Sequence, residues 1–192
     1  MSTLKKFRKT ETPIEGLIVI DPTVFGDERG FFMETYAKRD YDELFGGSVE
    51  FVQDNHSKSR RGVLRGLHFQ TQHAQGKLIR VVAGAVYDVA VDLRAGSPTY
   101  GQWYGVELSA ENKRQFYVPP HFAHGFLTLA DGTEFLYKCT DYYHPEFDGG
   151  VRWNDPTIGV DWRLEHYGLT MDELLLSEKD RVQPLLSELQ GM

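Results

Sequence analysis

The side chains in this sequence best suited to moving protons near neutral pH are seven histidines: His56, His68, His73, His121, His124, His144 and His166. Their surroundings separate them. His68 sits in Val63-Leu64-Arg65-Gly66-Leu67-His68-Phe69-Gln70, and His124 in Pro119-Pro120-His121-Phe122-Ala123-His124-Gly125-Phe126, both largely apolar stretches. A buried imidazole needs a hydrogen-bond partner. Each is therefore either a satisfied core histidine or a pocket residue able to act as general acid or base. His56, His144 and His166 read as loop residues. The rival use of two buried imidazoles is a metal centre. Metal-binding barrels of this kind usually present a His-x-His pair with a carboxylate shortly after it. Here the element reads His68-Phe69-Gln70, and no Glu follows until Glu107. The expected chemistry is therefore proton transfer with no metal and no cofactor.

The elements that must hold these residues are mostly strands. At 192 residues with 41% apolar side chains, the chain suits one domain spanning 1–192, with a core over about 14–165 and a helical or turn-rich segment over 166–192. Nineteen Gly, eight Pro and 13% aromatic residues fit short strands joined by tight turns. The clearest strand runs from Ala85 to Arg94, with Tyr87, Val89, Val91 and Leu93 on one face and Asp88, Asp92 and Arg94 on the other. Further strands are expected at Leu17–Ile20, Gly30–Tyr36, Gly101–Leu108, Phe116–Val118, Gly125–Leu129 and Glu134–Thr140. Helical patterns are confined to Arg39–Phe45, Met171–Leu176 and a piece around Leu185–Leu189. An open α/β fold would need crossover helices that the middle of the chain lacks. The fold class is all-β: an antiparallel barrel or jelly roll with a few short peripheral helices.

Charge and cysteine content exclude other classes. A net charge of −7 argues against nucleic acid as partner, although a local basic pocket can still take a small anion. Lys58, Arg60 and Arg61 read as a solvated loop. The single cysteine, Cys139, permits no internal disulfide and reads as a buried, inert thiol. There is no apolar run of membrane-spanning length and no signal-peptide pattern after Met1, so the expected location is cytoplasmic, away from membranes.

Several blocks occur in a fixed order: Phe25-Gly26-Asp27-Glu28-Arg29-Gly30-Phe31-Phe32-Met33-Glu34, Gln53-Asp54-Asn55-His56-Ser57, Gly62 to Gln70, Gln75-Gly76-Lys77, Asp88 to Gly101, Pro119 to Phe126, and Leu175-Leu176-Ser177-Glu178-Lys179-Asp180. Together they resemble the dTDP-4-dehydrorhamnose 3,5-epimerase family over about Ile14 to Asp180. The resemblance implies a metal-free cupin jelly roll, homodimeric, that inverts C3 and C5 of dTDP-4-dehydro-6-deoxy-D-glucose in rhamnose synthesis. By similarity His68 is the base, Asp180 the carboxylate that orients it, Tyr137 the proton donor and Lys77 the cation near the ketone oxygen. Arg29, Glu34, Gln53, Asn55, Arg65, His124 and Lys179 match nucleotide-sugar contacts, and Phe32 and Tyr143 match aromatic contacts, Tyr143 against thymine. Arg29, Phe32 and Glu34 would reach the partner subunit's site. Two positions depart from the pattern. His121 stands where Gly is frequent, so that turn must tolerate a side chain, and Asp148 stands where a substrate-contacting Glu is common.

The reaction itself makes demands that these residue types meet. Removing a hydrogen beside a ketone leaves an enolate, and imidazole is too weak a base by roughly a dozen pKa units without help. One aimed donor such as Lys77 supplies roughly 3 to 4 kcal/mol. Inversion also needs an acid on the opposite face, a role open to a tyrosine. On position alone Lys77 reads equally as a strand-start surface residue, Tyr137 as core, and Asp180 as part of a C-terminal turn, and Asp88 offers Lys77 an alternative partner. Arg65 and His68 are three apart, so a regular strand would point them to opposite faces. If both line one pocket, a bulge near Gly66 is predicted. An enzyme inverting C3 or C5 alone, a metal-dependent cupin and a non-catalytic sugar-binding barrel are the alternatives.

Overall fold

Strand Ala85–Asp92 shows how the layers are built. One of its faces carries only apolar side chains and the other carries two aspartates, yet the structure buries both faces. The structure is a computed structural model describing residues 6–189; the two ends of the predicted domain, 1–5 and 190–192, lie outside the described residues. In chain order the strands are β1 (Phe7–Glu11), β2 (Ile18–Pro22), β3 (Phe25–Asp27), β4 (Gly30–Phe32), β5 (Gln53–Ser59), β6 (Leu64–Gln70), β7 (Lys77–Ala83), β8 (Ala85–Asp92), β9 (Trp103–Ser109), β10 (Gln115–Val118), β11 (Phe122–Thr128), β12 (Thr133–Cys139) and β13 (Asp148–Gly150). Two α-helices, α1 (Lys38–Phe45) and α2 (Glu178–Arg181), complete the regular elements together with three single-turn 3-10 segments.

The strands form a jelly roll of two antiparallel sheets. One sheet has the order β1-β2-β10-β7-β12-β5, the other β13-β6-β11-β8-β9, and β3-β4 is a separate hairpin. Apolar side chains define the layers. Val86 and Ala90 of β8 pack against Ile79, Val81, Phe116, Phe126 and Phe135 between the two sheets. Tyr87, Val89, Val91 and Leu93, the apolar face read from the sequence, pack outward beneath Trp153, Trp162, Leu169 and Leu174 of the C-terminal segment. A third cluster, with Tyr41 of α1 against Ile18, Ile20, Leu78 and Tyr117, covers the outer face of the first sheet. Each fully buried large side chain contributes about 1.5–3 kcal/mol. The C-terminal segment is thus a lid over one sheet, and it carries α2 to the edge of the site.

The predicted bulge is present. Along the β11–β6 ladder His124 faces His68, but the next pair is Phe126 with Arg65, so two residues of β11 span three of β6. Gly66 sits in the bulge with φ +138, and a Cβ there would lie 2.6 Å from the Gly125 Cα, so only glycine fits. Leu64 and Leu67 consequently share the outer face although three apart, and Arg65 and His68 are freed to share the inner one. His121, in the turn where a side chain had to be tolerated, adopts φ +68 and is exposed.

Several expectations need correction. His56 lies in β5 rather than a loop, on its solvent-facing side. The helix expected over Met171–Leu176 is a single 3-10 turn, Met171–Glu173. Leu175 instead forms a bridge to Val63, because its apolar neighbours are drawn into the outer core. The strand expected over Gly30–Tyr36 ends at Phe32, and β2 continues through Asp21-Pro22 because Pro22 pairs at its edge with Phe7 of β1. No helix among the described residues is long and apolar enough to cross a membrane.

Candidate active site

His68 and His124 are direct cross-strand neighbours on β6 and β11, and each meets an aspartate from a different direction. His68 Nε2 lies 2.6 Å from Asp180 Oδ1. The Asp180 side chain is almost fully buried, while that of His68 is 30% exposed. Burial alone would raise the pKa of Asp180, but hydrogen bonds from His68 and Ser177, the charge of His68 and the Gly66 N–H outweigh it and hold the carboxyl below its ordinary value. An ionised carboxylate only accepts hydrogen bonds, so His68 Nε2 carries the hydrogen and Nδ1 keeps its lone pair. Ser177 secures this arrangement. It caps α2, accepting from the Asp180 N–H at 3.1 Å and donating to Asp180 Oδ2 at 2.6 Å. Ser177 did not emerge from the sequence as a site residue, although Ser177-Glu178-Lys179-Asp180 carries the Ser-x-x-acid pattern of a helix N-terminus.

His124 Nε2 lies 2.8 Å from Asp88 Oδ1 in full burial. Here burial dominates on both sides. It raises Asp88 and lowers His124, so both shifts favour the neutral forms. Lys77 joins this interior. It opens β7, opposite Cys139 of β12, and burial lowers its pKa, offset in part by Cys139, Asp88 and Asp148. His124 senses the charges of both Lys77 and His68. His124 and Asp88 thus lie within electrostatic reach of Lys77, and His124 within reach of His68 as well; the interior around these four groups is the compartment of the site.

The rest of the wall comes from β5 and β12. In this register Asn55 faces Tyr137 and Gln53 faces Cys139. Gln53 donates to Asn55 at 3.1 Å and accepts from the Tyr143 N–H at 3.0 Å, while Asn55 lies 3.5 Å from Cys139 Sγ. Tyr137 is raised above the usual phenol value by burial and by Cys139, against the opposing charge of Arg65. Arg65 thus lies near the phenol, with its guanidinium on Ser59 Oγ at 3.2 Å. At the mouth, Asp148 hydrogen-bonds Lys179, and Tyr143 is raised by burial and by its contact with Asp148. A groove along the same sheet is lined by Thr35, Leu78, Arg80, Gln115 and Leu136 and also reaches Asn55, His56 and Tyr137, but His68, Asp180 and Lys77 do not line it.

Eleven of the fourteen residues singled out from the sequence surround this compartment or its mouth: His68, Tyr137, Asp180, Lys77, Gln53, Asn55, Arg65, His124, Tyr143, Asp148 and Lys179. Arg29, Phe32 and Glu34 do not. Arg29 pairs with Asp27 and Glu34 with Lys6 at 2.8 Å, and Phe32 is 67% exposed on the β3-β4 hairpin. Within this chain these three side chains therefore stay outside the site.

Comparison with known proteins gives the family. Residues 11–188 match the family model described as dTDP-4-dehydrorhamnose 3,5-epimerase. The epimerase of that name from Pseudomonas aeruginosa is 56% identical over 174 residues, covering 91% of this chain and 93% of its relative. The one from Methanothermobacter thermautotrophicus is 55% identical over 178 residues, covering 93% and 94%. Among solved structures, the dTDP-6-deoxy-D-glucose-3,5-epimerase of Legionella pneumophila, in complex with dTDP-4-keto-L-rhamnose, superposes with a TM-score of 0.90 at 50% identity, over 96% of this chain and 95% of that one. The chain therefore belongs to the dTDP-4-dehydrorhamnose 3,5-epimerase family.

Proposed function

We propose that this protein is an isomerase that converts dTDP-4-dehydro-6-deoxy-D-glucose to dTDP-4-dehydro-L-rhamnose by inverting C3 and C5, as a step of dTDP-rhamnose synthesis. The observation that carries the reading is the His68–Asp180 pair, 2.6 Å apart, opening onto the compartment that holds the desolvated Lys77. His68 Nδ1 takes the hydrogen on the carbon beside the ketone, and Asp180 steadies the imidazolium that forms. The negative charge moves to the carbonyl oxygen, where the Lys77 ammonium meets it in a site poor in water, so the interaction is stronger than in solution. Tyr137, kept protonated by its raised pKa, delivers a proton to the opposite face, and the configuration inverts.

Arg65 binds the diphosphate and Tyr143 stacks on the base, with Gln53, Asn55, His124, Asp148 and Lys179 completing the contacts to sugar and nucleotide. Arg29, Phe32 and Glu34 serve the site of a second subunit. Phe25, Phe31 and Phe32 expose apolar surface on one short hairpin, as expected of a surface that a second copy covers.

Turnover in deuterated water tests the assignment. NMR of the product is expected to show deuterium at C3 and at C5, with none incorporated by His68→Ala, and with Tyr137→Phe exchanging hydrogen without full inversion. Exchange at one carbon alone would establish a single-centre epimerase, and absence of exchange in the wild type would end the enzymatic reading.

A further inference from the structure

Outside the proton-transfer compartment, two loops meet at a cluster of metal-ligating side chains that the epimerase chemistry does not use. The loop between β6 and β7 supplies His73, and the loop after β12 supplies Asp141 and His144. One ligating atom from each of the three lies within 4.8 Å of the other two. His73 Nδ1 is 3.3 Å from Asp141 Oδ2. The two imidazoles stack with centroids 4.2 Å apart and planes at 22°, on an apolar floor formed by Phe147. Glu146 Oε1 stands 3.5 Å from His144 Nδ1, beyond the trio.

The backbone around the cluster is held in place. The buried Gln70 side chain donates to the His73 carbonyl at 2.7 Å and accepts from the His144 N–H at 2.6 Å, so one amide fixes both histidines. Gln75 donates to the Asp141 carbonyl at 2.9 Å. The Tyr142 N–H occupies Asp141 Oδ1 at 2.7 Å and leaves Oδ2 turned to His73. His73 itself adopts φ +53, a left-handed conformation that costs energy in a residue with a Cβ and that clusters at functional positions. These bonds anchor the backbone that carries the two imidazoles, and the Tyr142 N–H orients the carboxylate, as outer partners do around a metal site.

We propose that His73, Asp141 and His144 bind one divalent transition-metal ion, of the zinc, cobalt or nickel type, with water or Glu146 completing the shell. Two imidazoles and one carboxylate select such ions over magnesium or calcium, which prefer oxygen ligands throughout. The ligand atoms already lie within 4.8 Å of one another, and the two stacked rings would splay to bring them to the roughly 2 Å metal–ligand distances of a tetrahedral shell. The ion would tie the β6–β7 loop to the loop that carries Tyr143, at the rim of the site. It takes no part in proton transfer, and the proposal does not depend on the identity of the substrate.

The test is titration of chelator-treated, dialysed full-length protein with ZnCl₂ by calorimetry, and with CoCl₂ by visible absorption. One saturable site per chain is expected, with the ligand-field bands of four- or five-coordinate cobalt and a rise in Tm on zinc addition. His73→Gly, which suits the left-handed backbone, and His144→Ala are each expected to weaken binding more than about 100-fold, since losing a ligand costs more than losing one of its supporting partners. Circular dichroism of both variants checks that the fold is kept. Absence of saturable binding in the wild type would overturn the proposal, as would equal affinity in folded variants, which would mark an adventitious ion only.

Discussion

Two histidines on adjacent strands, His68 and His124, each meet an aspartate, and the two pairs are electrostatic opposites. In the His68–Asp180 pair the carboxylate collects hydrogen bonds from an imidazole, a serine and a backbone N–H, which hold it ionised, and the imidazole remains partly open to the compartment. In the His124–Asp88 pair both partners are sealed, Asp88 Oδ2 finds no hydrogen-bond partner among the described residues, and burial drives both groups toward neutrality. Similar side chains at similar distances therefore have different capacities. An ionised carboxylate can steady the imidazolium that a base becomes, whereas burial in the second pair disfavours charge on both partners. The first pair suits a base, the second a fixed donor and wall.

Substitutions sharpen this contrast. Asp180→Asn should lower kcat by about 10⁴-fold, because an amide can hold the wrong tautomer of His68; steady-state kinetics beside circular dichroism reads it, and a loss below tenfold would show that Asp180 does not set the base. Lys77→Met should cost about 10²- to 10³-fold in kcat/KM through loss of the enolate donor. The pH profile supplies the sign for the same residue. As pH rises through the lowered pKa of Lys77 its charge is lost, so kcat/KM should decline at a pH below the ordinary lysine range. Tyr137, raised above the ordinary phenol value, titrates later, so in Lys77→Met the alkaline limb of the profile should move up to the pH at which Tyr137 loses its proton. The smallest effect is expected of Asp88→Asn. The amide matches Asp88 in volume and keeps a hydrogen bond to His124 worth about 0.5–1.5 kcal/mol, so kcat should fall by less than about tenfold. A loss matching that of Asp180→Asn would erase the distinction between the pairs.

Much of this arrangement was legible beforehand. Close strand spacing and turn residues pointed to the all-β class, and the three-residue spacing of Arg65 and His68 called for a bulge if both line one pocket, an irregularity that the β6–β11 register contains. Other features were hidden for physical reasons. The Met171–Leu176 stretch has helical spacing, but its apolar residues are worth more packed against the outer core than in an isolated turn, and tertiary burial overrode local preference. His56 looked like a loop residue because β5 is polar on its outer face and lined with Gln53 and Asn55 on its inner one, so no hydrophobic alternation marks it as a strand.

The alternation of β8 illustrates the same division. Period-two spacing placed Tyr87, Val89 and Val91 on one face and Asp88 on the other, which is fixed by covalent geometry. Only the packed molecule turned the aspartate face inward and covered the apolar face with residues from the C-terminal segment. Residue types, order and facing are local properties that the sequence determined. Which of the two histidines meets an ionised carboxylate depends on desolvation and on a partner 112 positions away in the chain, and such a long-range contact is decided by the tertiary structure alone.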